Sequence, residues 1–173
     1  MTRLSIAINL DRCVGCHTCA NACKMQNNVP MGMLWNRILT KDCDVIDGAV
    51  GEYPNLKRVY LPVQCQHCET AACQKVCPTG ATYKDGLGRV EIDYGDSRVP
   101  VRVKGVAEKC TLCKERTDEG DLPMCVRVCP ARARTFGDLD DPESEISKLA
   151  LSAKAGHLLE EKGTHPQLFY VGL

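Results

Sequence analysis

Four cysteines near the N-terminus have a spacing that iron–sulfur proteins use. The segment DRCVGCHTCANACK contains the run C-x2-C-x2-C-x3-C, formed by Cys13, Cys16, Cys19 and Cys23. Three thiolates spaced in this way can bind one face of a [4Fe-4S] cluster, whereas the fourth points elsewhere and, in two-cluster ferredoxins, ligates the other cluster. The run therefore predicts a cluster loop that needs a second cysteine group further along the chain.

Two further cysteine groups follow. The second group has the spacing C-x2-C-x4-C-x3-C-P and consists of Cys65, Cys68, Cys73 and Cys77. The third group has the looser spacing C-x2-C-x11-C-x3-C-P and consists of Cys110, Cys113, Cys125 and Cys129. In both groups Cys-Pro is followed by small or basic residues and then by an aromatic residue. This repeat predicts the strand, cysteine loop and helix unit of a ferredoxin, used more than once.

A structural zinc ion is the alternative to an iron–sulfur cluster as the metal centre that these cysteine groups bind. The two cysteine pairs of the third group would suit zinc if that group stood alone. The remaining cysteine, Cys43, lies between two acidic residues, which do not favour a thiolate, so we expect an ordinary free cysteine. His17 and His67 lie inside cluster loops whose cysteines already complete each quartet. We therefore expect both histidines to be exposed rather than to be ligands.

The composition excludes several classes of protein. The chain of 173 residues has 22 basic and 22 acidic side chains, which suggests neither nucleic acid nor an anionic membrane as a partner. The odd count of 13 cysteines and their tight grouping argue against a disulfide framework. With one Trp, two Phe and five Tyr, the core needs another source of cohesion, which metal–thiolate bonds could supply. No nucleophile–base pair or phosphate-binding loop is visible, so we expect no substrate site.

The location of the protein is constrained by what its sequence lacks. The segment MTRLSIAINL has no secretory signal, and no apolar run approaches the length of a transmembrane helix. We therefore expect a protein made in a reducing compartment. We expect it either to be cytoplasmic or to be associated with a membrane or exported together with a partner.

The elements that position the cysteines are short. Strands are predicted at Leu4–Asn9, Lys57–Val63, Ala81–Lys84, Arg89–Ile92 and Thr135–Gly137, with an extended stretch at Val99–Val103. A short helix is predicted over Cys19–Gln26. We expect Met31–Leu56 to be an irregular surface segment, in which Trp35 is either a packing anchor or a partner contact. The pattern as a whole indicates an α+β fold.

The C-terminal part differs from the cysteine region. Apolar residues at helical spacing predict a helix over Glu143–Glu161, interrupted at Gly156. The last segment, His165–Leu173, is apolar enough to be a strand or arm that docks on the protein or on a partner.

These motifs resemble the electron-transfer subunit of dimethyl sulfoxide, polysulfide and related molybdopterin oxidoreductases. The resemblance covers nearly the whole chain and rests on CVGCHTCANACK, CQHCETAACQKVCPTGA, CTLCKERTDEGDLPMCVRVCPARARTFGDLDDP and the closing LLEEKGTHPQLFYV. It implies a duplicated bacterial-ferredoxin-like fold of the α+β class. It also implies a non-catalytic subunit with four [4Fe-4S] clusters.

The resemblance implies a nested pairing of the cysteine groups. One cluster would be bound by Cys13, Cys16, Cys19 and Cys129, and its neighbour by Cys110, Cys113, Cys125 and Cys23. The first lobe would then comprise residues 1–30 and 104–138, and the second lobe residues 57–94. Together they form a ferredoxin-like domain over residues 1–138, which a C-terminal helix and docking arm follow at 139–173.

The chain departs from the family in its middle. The family has another C-x2-C-x2-C-x3-C-P run after a segment such as Val90–Tyr94, but Gly95 follows directly here. The usual partner of the second group is therefore absent, and Cys77 would have to complete its own quartet. We expect three clusters, or four if a middle quartet is missing from this sequence.

The resemblance implies a relay of single electrons. One partner would be a molybdopterin (bis-MGD) catalytic subunit and the other a quinone-linked membrane anchor subunit or another redox protein, all within a hetero-oligomer. Two alternatives stay open: a free-standing polyferredoxin that serves several enzymes, and a zinc-stabilised interaction module. The basic residues near the third group either dock a partner or form a solvated face; they are Lys114, Arg116, Arg127, Arg132 and Arg134.

Overall fold

The computed structural model describes residues 2–95 and 105–173, which form short strands and helices. The strands are β1 (Leu4–Asn9), β2 (Asn36–Thr40), β3 (Tyr60–Gln64), β4 (Thr82–Lys84), β5 (Val90–Ile92), β6 (Arg134–Asp138), β7 (Ala155–Gly156) and β8 (Phe169–Val171). The helices are α1 (Thr18–Gln26), α2 (Ala72–Lys75), α3 (Lys114–Asp118), α4 (Met124–Arg127) and α5 (Glu145–Ala150), with single 3-10 turns at Leu10–Arg12 and Glu160–Lys162. The α+β class expected from the sequence is therefore confirmed.

A four-stranded sheet joins the two ends of the chain in the order β6-β1-β8-β7. Strand β1 pairs antiparallel with β6, where Ile6 lies opposite Phe136, and parallel with β8, where Ile8 lies opposite Tyr170. The side chains of Ile6 and Ile8 are completely buried, because they belong to the hydrophobic core that packs on this sheet. Two hairpins, β2–β3 and β4–β5, complete the pairing of the strands in the described residues.

The hydrophobic core lies against this sheet and contains cysteines from two different groups. Its buried members are Ile6, Ile8, Leu10, Cys19, Ile38, Leu112, Cys125, Leu168 and Tyr170. Helices α1 and α4, which carry Cys19 and Cys125, pack directly on each other. The core thus positions the first and third cysteine groups side by side.

The C-terminal segment docks as a strand, as the sequence predicted for His165–Leu173. The Tyr170 side chain is completely buried, and its hydroxyl donates a hydrogen bond to the Pro62 carbonyl at 2.9 Å. The Gln66 side-chain amide donates to the same hydroxyl at 3.2 Å. These contacts connect β8 to β3 and to the loop of the second cysteine group.

Two predictions about secondary structure are wrong. The segment Met31–Leu56 is not irregular throughout, because Asn36–Thr40 forms β2 and pairs antiparallel with β3. The helix predicted over Glu143–Glu161 ends at Ala150, because Gly156 pairs instead with Tyr170 in the sheet. The predicted strands at the other positions and the helix after Cys16 are confirmed within two or three residues. The predicted stretch Val99–Val103 lies outside the described residues.

None of the helices in the described ranges is long and apolar enough to cross a membrane.

Candidate metal centre

The loop after the first cysteine of each group contains the same backbone turn. The residue two positions after that cysteine has a positive φ in all three groups: Gly15 (67°), His67 (44°) and Leu112 (51°). In the third group this turn directs the Leu112 N–H at the Sγ of Cys110, 3.4 Å away. An N–H group aimed at a thiolate sulfur stabilises its negative charge, as a metal–thiolate loop requires.

The corresponding N–H groups act on the thiols of the other two groups. Burial, the largest influence, raises the pKa of Cys13 and of Cys65. Backbone hydrogen bonds from Gly15 and His67 oppose this rise in pKa. The three loops therefore share one way of stabilising a thiolate, although glycine, histidine and leucine occupy the equivalent position.

Gly15 is fixed by a second constraint besides its φ. A Cβ at this position would lie 2.4 Å from the ring of Tyr60, so a larger residue would displace that side chain. The ring of Tyr60 therefore fills the space beside Gly15. Strand β3 thereby packs on the first cluster loop.

The Cys-Pro ends of the second and third groups also share a turn. Gly80 and Arg132 each lie three positions after a cysteine and have φ values of 70° and 46°. After the turn in the third group, the Ala133 N–H lies 3.3 Å from the Sγ of Cys129.

One cavity brings the first group together with the last cysteine of the third group. Its lining contains Cys13, Cys16, Cys19, Cys129 and the side chain of Arg134. The Cys129 thiol lies near enough to Cys13 to add to the rise in its pKa, which burial dominates. Cys23 does not line this cavity.

Cys23 faces the remaining members of the third group instead. Burial raises the pKa of the Cys23 thiol to about 12, and nearby Cys125 and Cys113 add to the rise. Cys110 is also buried, and its pKa is raised by burial and by neighbours that include Cys65 and Cys23. The Met124 N–H lies 3.5 Å from the Sγ of Cys113. Cys23 therefore lies near members of the third group, whereas Cys13, Cys16 and Cys19 line one cavity with Cys129.

The second group is less compact. Cys68 and Cys73 lie near Cys65 and add to the rise in its pKa, which burial dominates. The Sγ of Cys77 instead lies 3.5 Å from the Thr79 hydroxyl. Hydrogen bonds with Thr82 and Thr79 lower the pKa of Cys77 to about 6. Cys68 and Cys73 therefore lie near Cys65, whereas Cys77 interacts with threonines.

The expectation that His67 is exposed is wrong. Its side chain is 1% exposed, and Nδ1 accepts a hydrogen bond from the Val90 N–H at 3.0 Å. The cause is strand β5, which covers the loop of the second group. His17 is half-buried and directly precedes α1.

The placement of Arg134 also differs from the sequence-based expectation. The sequence groups it with the basic residues of a docking or solvated face, but it is 5% exposed. Lys114 and Arg116 pair with Asp118 and Asp121 at 2.6 and 2.9 Å. Arg127 and Arg132 are at the surface. Four of the five basic residues therefore reach the surface region, and Arg134 belongs to the interior.

The donor set fits iron–sulfur clusters. It consists of thiols alone, most of them at least partly buried, with N–H groups aimed at several of the sulfur atoms. In residues 2–95 and 105–173, no three or more His, Cys, Asp or Glu side chains form a group that could hold a single metal ion.

Two iron–sulfur family models match the chain. The model of the 4Fe-4S dicluster domain matches residues 56–102 and 97–139. The model of the 4Fe-4S binding domain matches residues 6–26. Together these matches cover all three cysteine groups.

Similar proteins align over almost the whole chain. A protein of Halobacterium salinarum named as an iron-sulfur subunit of dimethyl sulfoxide reductase is 41% identical over 99% of this chain and 79% of its own length. The arsenate respiratory reductase iron-sulfur subunit of Shewanella sp. strain ANA-3 is 32% identical over 98% of this chain and 96% of its own. A sulfite dehydrogenase subunit of Allochromatium vinosum is 36% identical, over 99% and 83% of the two chains.

These alignments leave a gap in the present chain. The first spans 208 positions, whereas the chain has 173 residues, so at least 35 aligned positions have no counterpart here. The matches, the cysteine loops and the shared identity all lead to one conclusion. The chain belongs to the family of iron–sulfur electron-transfer subunits of oxidoreductases of the dimethyl sulfoxide reductase type.

Proposed function

We propose that this chain relays single electrons between a molybdopterin (bis-MGD) catalytic subunit and a quinone-linked or other redox partner. The observation that carries the proposal is the cavity shared by Cys13, Cys16, Cys19 and Cys129. It joins cysteines from the two ends of the cysteine region, as an exchange of ligands between two cluster loops would require.

The cysteine sets are proposed as follows. The first set is Cys13, Cys16, Cys19 and Cys129; the second is Cys23, Cys110, Cys113 and Cys125; the third is Cys65, Cys68, Cys73 and Cys77. When bound, [4Fe-4S] clusters accept and release one electron at a time. The thiolates hold the iron, the core excludes water from the second set, and backbone N–H groups stabilise the charge on sulfur.

We propose that the three sets follow one another in space. Cys19 of the first set contributes to the raised pKa of Cys125 in the second set, although burial, Arg134 and Cys113 have larger effects on it. Cys65 of the third set is the thiol with the largest effect on Cys110 of the second set, whose pKa burial raises. Both effects support an order in which the second set lies between the other two. This order suits a linear electron path that enters at one end and leaves at the other.

The repeated turns support a duplicated fold. Equivalent residues of the three groups share a positive φ, and the two Cys-Pro ends share another. We assign residues 1–30 and 104–138 to one lobe and residues 57–94 to the other, within a ferredoxin-like domain over residues 1–138. The segment 139–173 adds β7 and β8 to the sheet of the first lobe, and α5 packs against that sheet.

Three clusters are the number that this sequence supports. The alignment with the Halobacterium protein leaves at least 35 positions without a counterpart among the 173 residues. The dicluster model matches in two parts that overlap at residues 97–102, close to the point after Val90–Tyr94 at which the family resemblance places another quartet. A middle quartet lost at this point would remove one cluster. The third set then depends on Cys77 for its fourth thiolate.

The partners are proposed from the relatives. Two are named as subunits of arsenate respiratory reductase and of dimethyl sulfoxide reductase. Such names suit a hetero-oligomer in which another chain carries out the substrate chemistry, with a membrane anchor subunit as the candidate electron donor or acceptor. The complex would be cytoplasmic, or membrane-associated or exported as a whole.

Purification of the untagged native protein tests this function. We expect it to co-purify with a larger subunit that contains molybdenum, and the reduced clusters to reoxidise when the substrate of that subunit is added. Isolation as a monomer without a molybdenum-containing partner would support the free-standing polyferredoxin and contradict the subunit function.

A further inference from the structure

The Arg134 side chain lies in the interior between the first and second cysteine sets. It is 5% exposed and lines the cavity that Cys13, Cys16, Cys19 and Cys129 share. It occupies the first position of β6, directly after the turn that ends the third cysteine group. The backbone of the first lobe therefore fixes the position of this cation.

The hydrogen-bond partners of Arg134 are neutral amides. Nη1 donates to Gln64 Oε1 at 2.8 Å, and Nη2 donates to Asn36 Oδ1 at 3.1 Å. Asn36 and Gln64 are direct cross-strand neighbours in β2 and β3, and both are buried. The hairpin thus orients the guanidinium with two amide oxygens but does not neutralise its charge. Within the part of the chain that the structure describes, Arg134 forms no ion pair with a carboxylate.

Arg134 lies close to thiols of both sets. It lines one cavity with Cys13, Cys19 and Cys129 of the first set. Strand β6, which begins at Arg134, packs on α4, the helix that carries Cys125 of the second set. The positive charge therefore lies close to both sets.

A buried cation with neutral partners needs negative charge nearby. Transfer of an unpaired charge into the interior is strongly unfavourable unless opposite charge compensates it. Metal-bound thiolates of the two sets would supply such charge, and each gain of an electron would add to it. A fixed positive charge stabilises the reduced form more than the oxidised form, and net charge and hydrogen bonds are known determinants of cluster potentials.

We propose that the positive charge of Arg134 raises the reduction potentials of the clusters in both the first and the second set. Asn36 and Gln64 hold its charge at a fixed place between the two sets. This inference rests on the cysteine sets of the proposed function. It also gives the β2–β3 hairpin a role, since the hairpin supplies both amides.

The test is a redox titration of the purified protein, followed by electron paramagnetic resonance. Arg134→Met removes the buried charge, and Gln64→Glu places a carboxylate beside the intact guanidinium. We expect both variants to lower the midpoint potentials of the two clusters, whereas Arg134→Lys keeps most of the wild-type value. Arg132→Met is the matched control, because it removes the same charge from a position nearer the surface, where solvent and salt screen it.

The outcomes are distinguishable from those that test the proposed function. If Arg134→Met and Gln64→Glu keep iron and sulfide and shift neither potential more than Arg132→Met does, the inference is wrong. If Arg134→Met does not assemble, Gln64→Glu decides alone, since it retains the arginine and only a lowered potential supports the inference. A wild-type protein without iron and sulfide would refute the proposed function instead.

Discussion

Cys19 and Cys125 lie in the same hydrophobic core, although they belong to the first and third cysteine groups. Helices α1 and α4 carry them and pack on each other, so the two ends of the cysteine region form one structural unit. This arrangement makes the pairing of the groups testable by removal of single cysteines.

Cys129→Ser should damage the cluster of the first set rather than the cluster of the nearest cysteines in sequence. The reason is the cavity in which Cys129 accompanies Cys13, Cys16 and Cys19. We expect a loss of up to about four iron atoms per chain, the content of one cluster. Iron analysis and electron paramagnetic resonance would detect the loss.

Cys43→Ser is the matched control for that experiment. Cys43 belongs to none of the three groups, so its replacement should leave the iron content unchanged. A spectrum in which Cys129→Ser alters only the cluster of Cys110, Cys113 and Cys125 would show that the nested pairing is wrong.

Arg89→Met should destabilise the protein by about 2 kcal/mol, because it removes a buried guanidinium whose hydrogen bonds to charged groups each contribute about 1.5–3 kcal/mol at most, and it leaves Asp85 without its partner. The Arg89 side chain is 2% exposed, and it bonds Asp85 at 2.6 Å and Asp118 at 2.7 Å. It thereby connects the turn of the β4–β5 hairpin to α3. Chemical denaturation followed by circular dichroism would measure the change.

Arg127→Met serves as the control for Arg89. Arg127 is 58% exposed and lies 3.5 Å from Asp121, so its loss should change the free energy of unfolding by less than about 1 kcal/mol. Equal effects of the two substitutions would contradict a structural role for the buried pair.

Glu91 should make the protein less stable as the pH rises. Burial raises the pKa of Glu91 from 4.5 to about 7, and Lys109 and Arg89 only partly oppose this. Its Oε1 has no hydrogen-bond partner in the described residues. Between these two pKa values the folded protein binds more protons than the unfolded chain, so stability falls with increasing pH until the carboxyl group is fully ionised.

Glu91→Gln removes that dependence. We expect the free energy of unfolding of the variant, relative to that of the wild type, to be about 1–3 kcal/mol higher at pH 8 than at pH 5.5. This corresponds to about 2–4 °C in the thermal midpoint for each kcal/mol in a protein of this size. Glu119→Gln, at an exposed position, should show the same stability difference at both pH values. A pH-independent effect of Glu91→Gln would contradict the raised pKa.

The sequence predicts the short strands from their apolar patterns and the docked C-terminal arm from its continuous apolar residues, Leu168 to Val171. Strand β2 escapes prediction for the opposite reason. Its buried positions are Asn36, Ile38 and Thr40, so two of the three inward side chains are polar and the alternation is hidden. The helix after Ser144 is shorter than its sequence pattern predicts, because the pairing of Gly156 with Tyr170 depends on contacts outside the segment.

The cysteine groups are also evident from the sequence, but their surroundings are not. Burial of Arg134 depends on Gln64 and Asn36, which are distant in the chain. Burial of His67 depends on Val90 in the strand that covers it. The positive φ shared by Gly15, His67 and Leu112 gives no common sequence pattern, because only one of the three is glycine.

Metal and sulfide analysis of the purified protein tests the central claim most directly. Three [4Fe-4S] clusters predict about twelve iron atoms and about twelve acid-labile sulfides per chain. About three zinc ions per chain, with no sulfide and no visible colour, would contradict the account and support a zinc-stabilised interaction module.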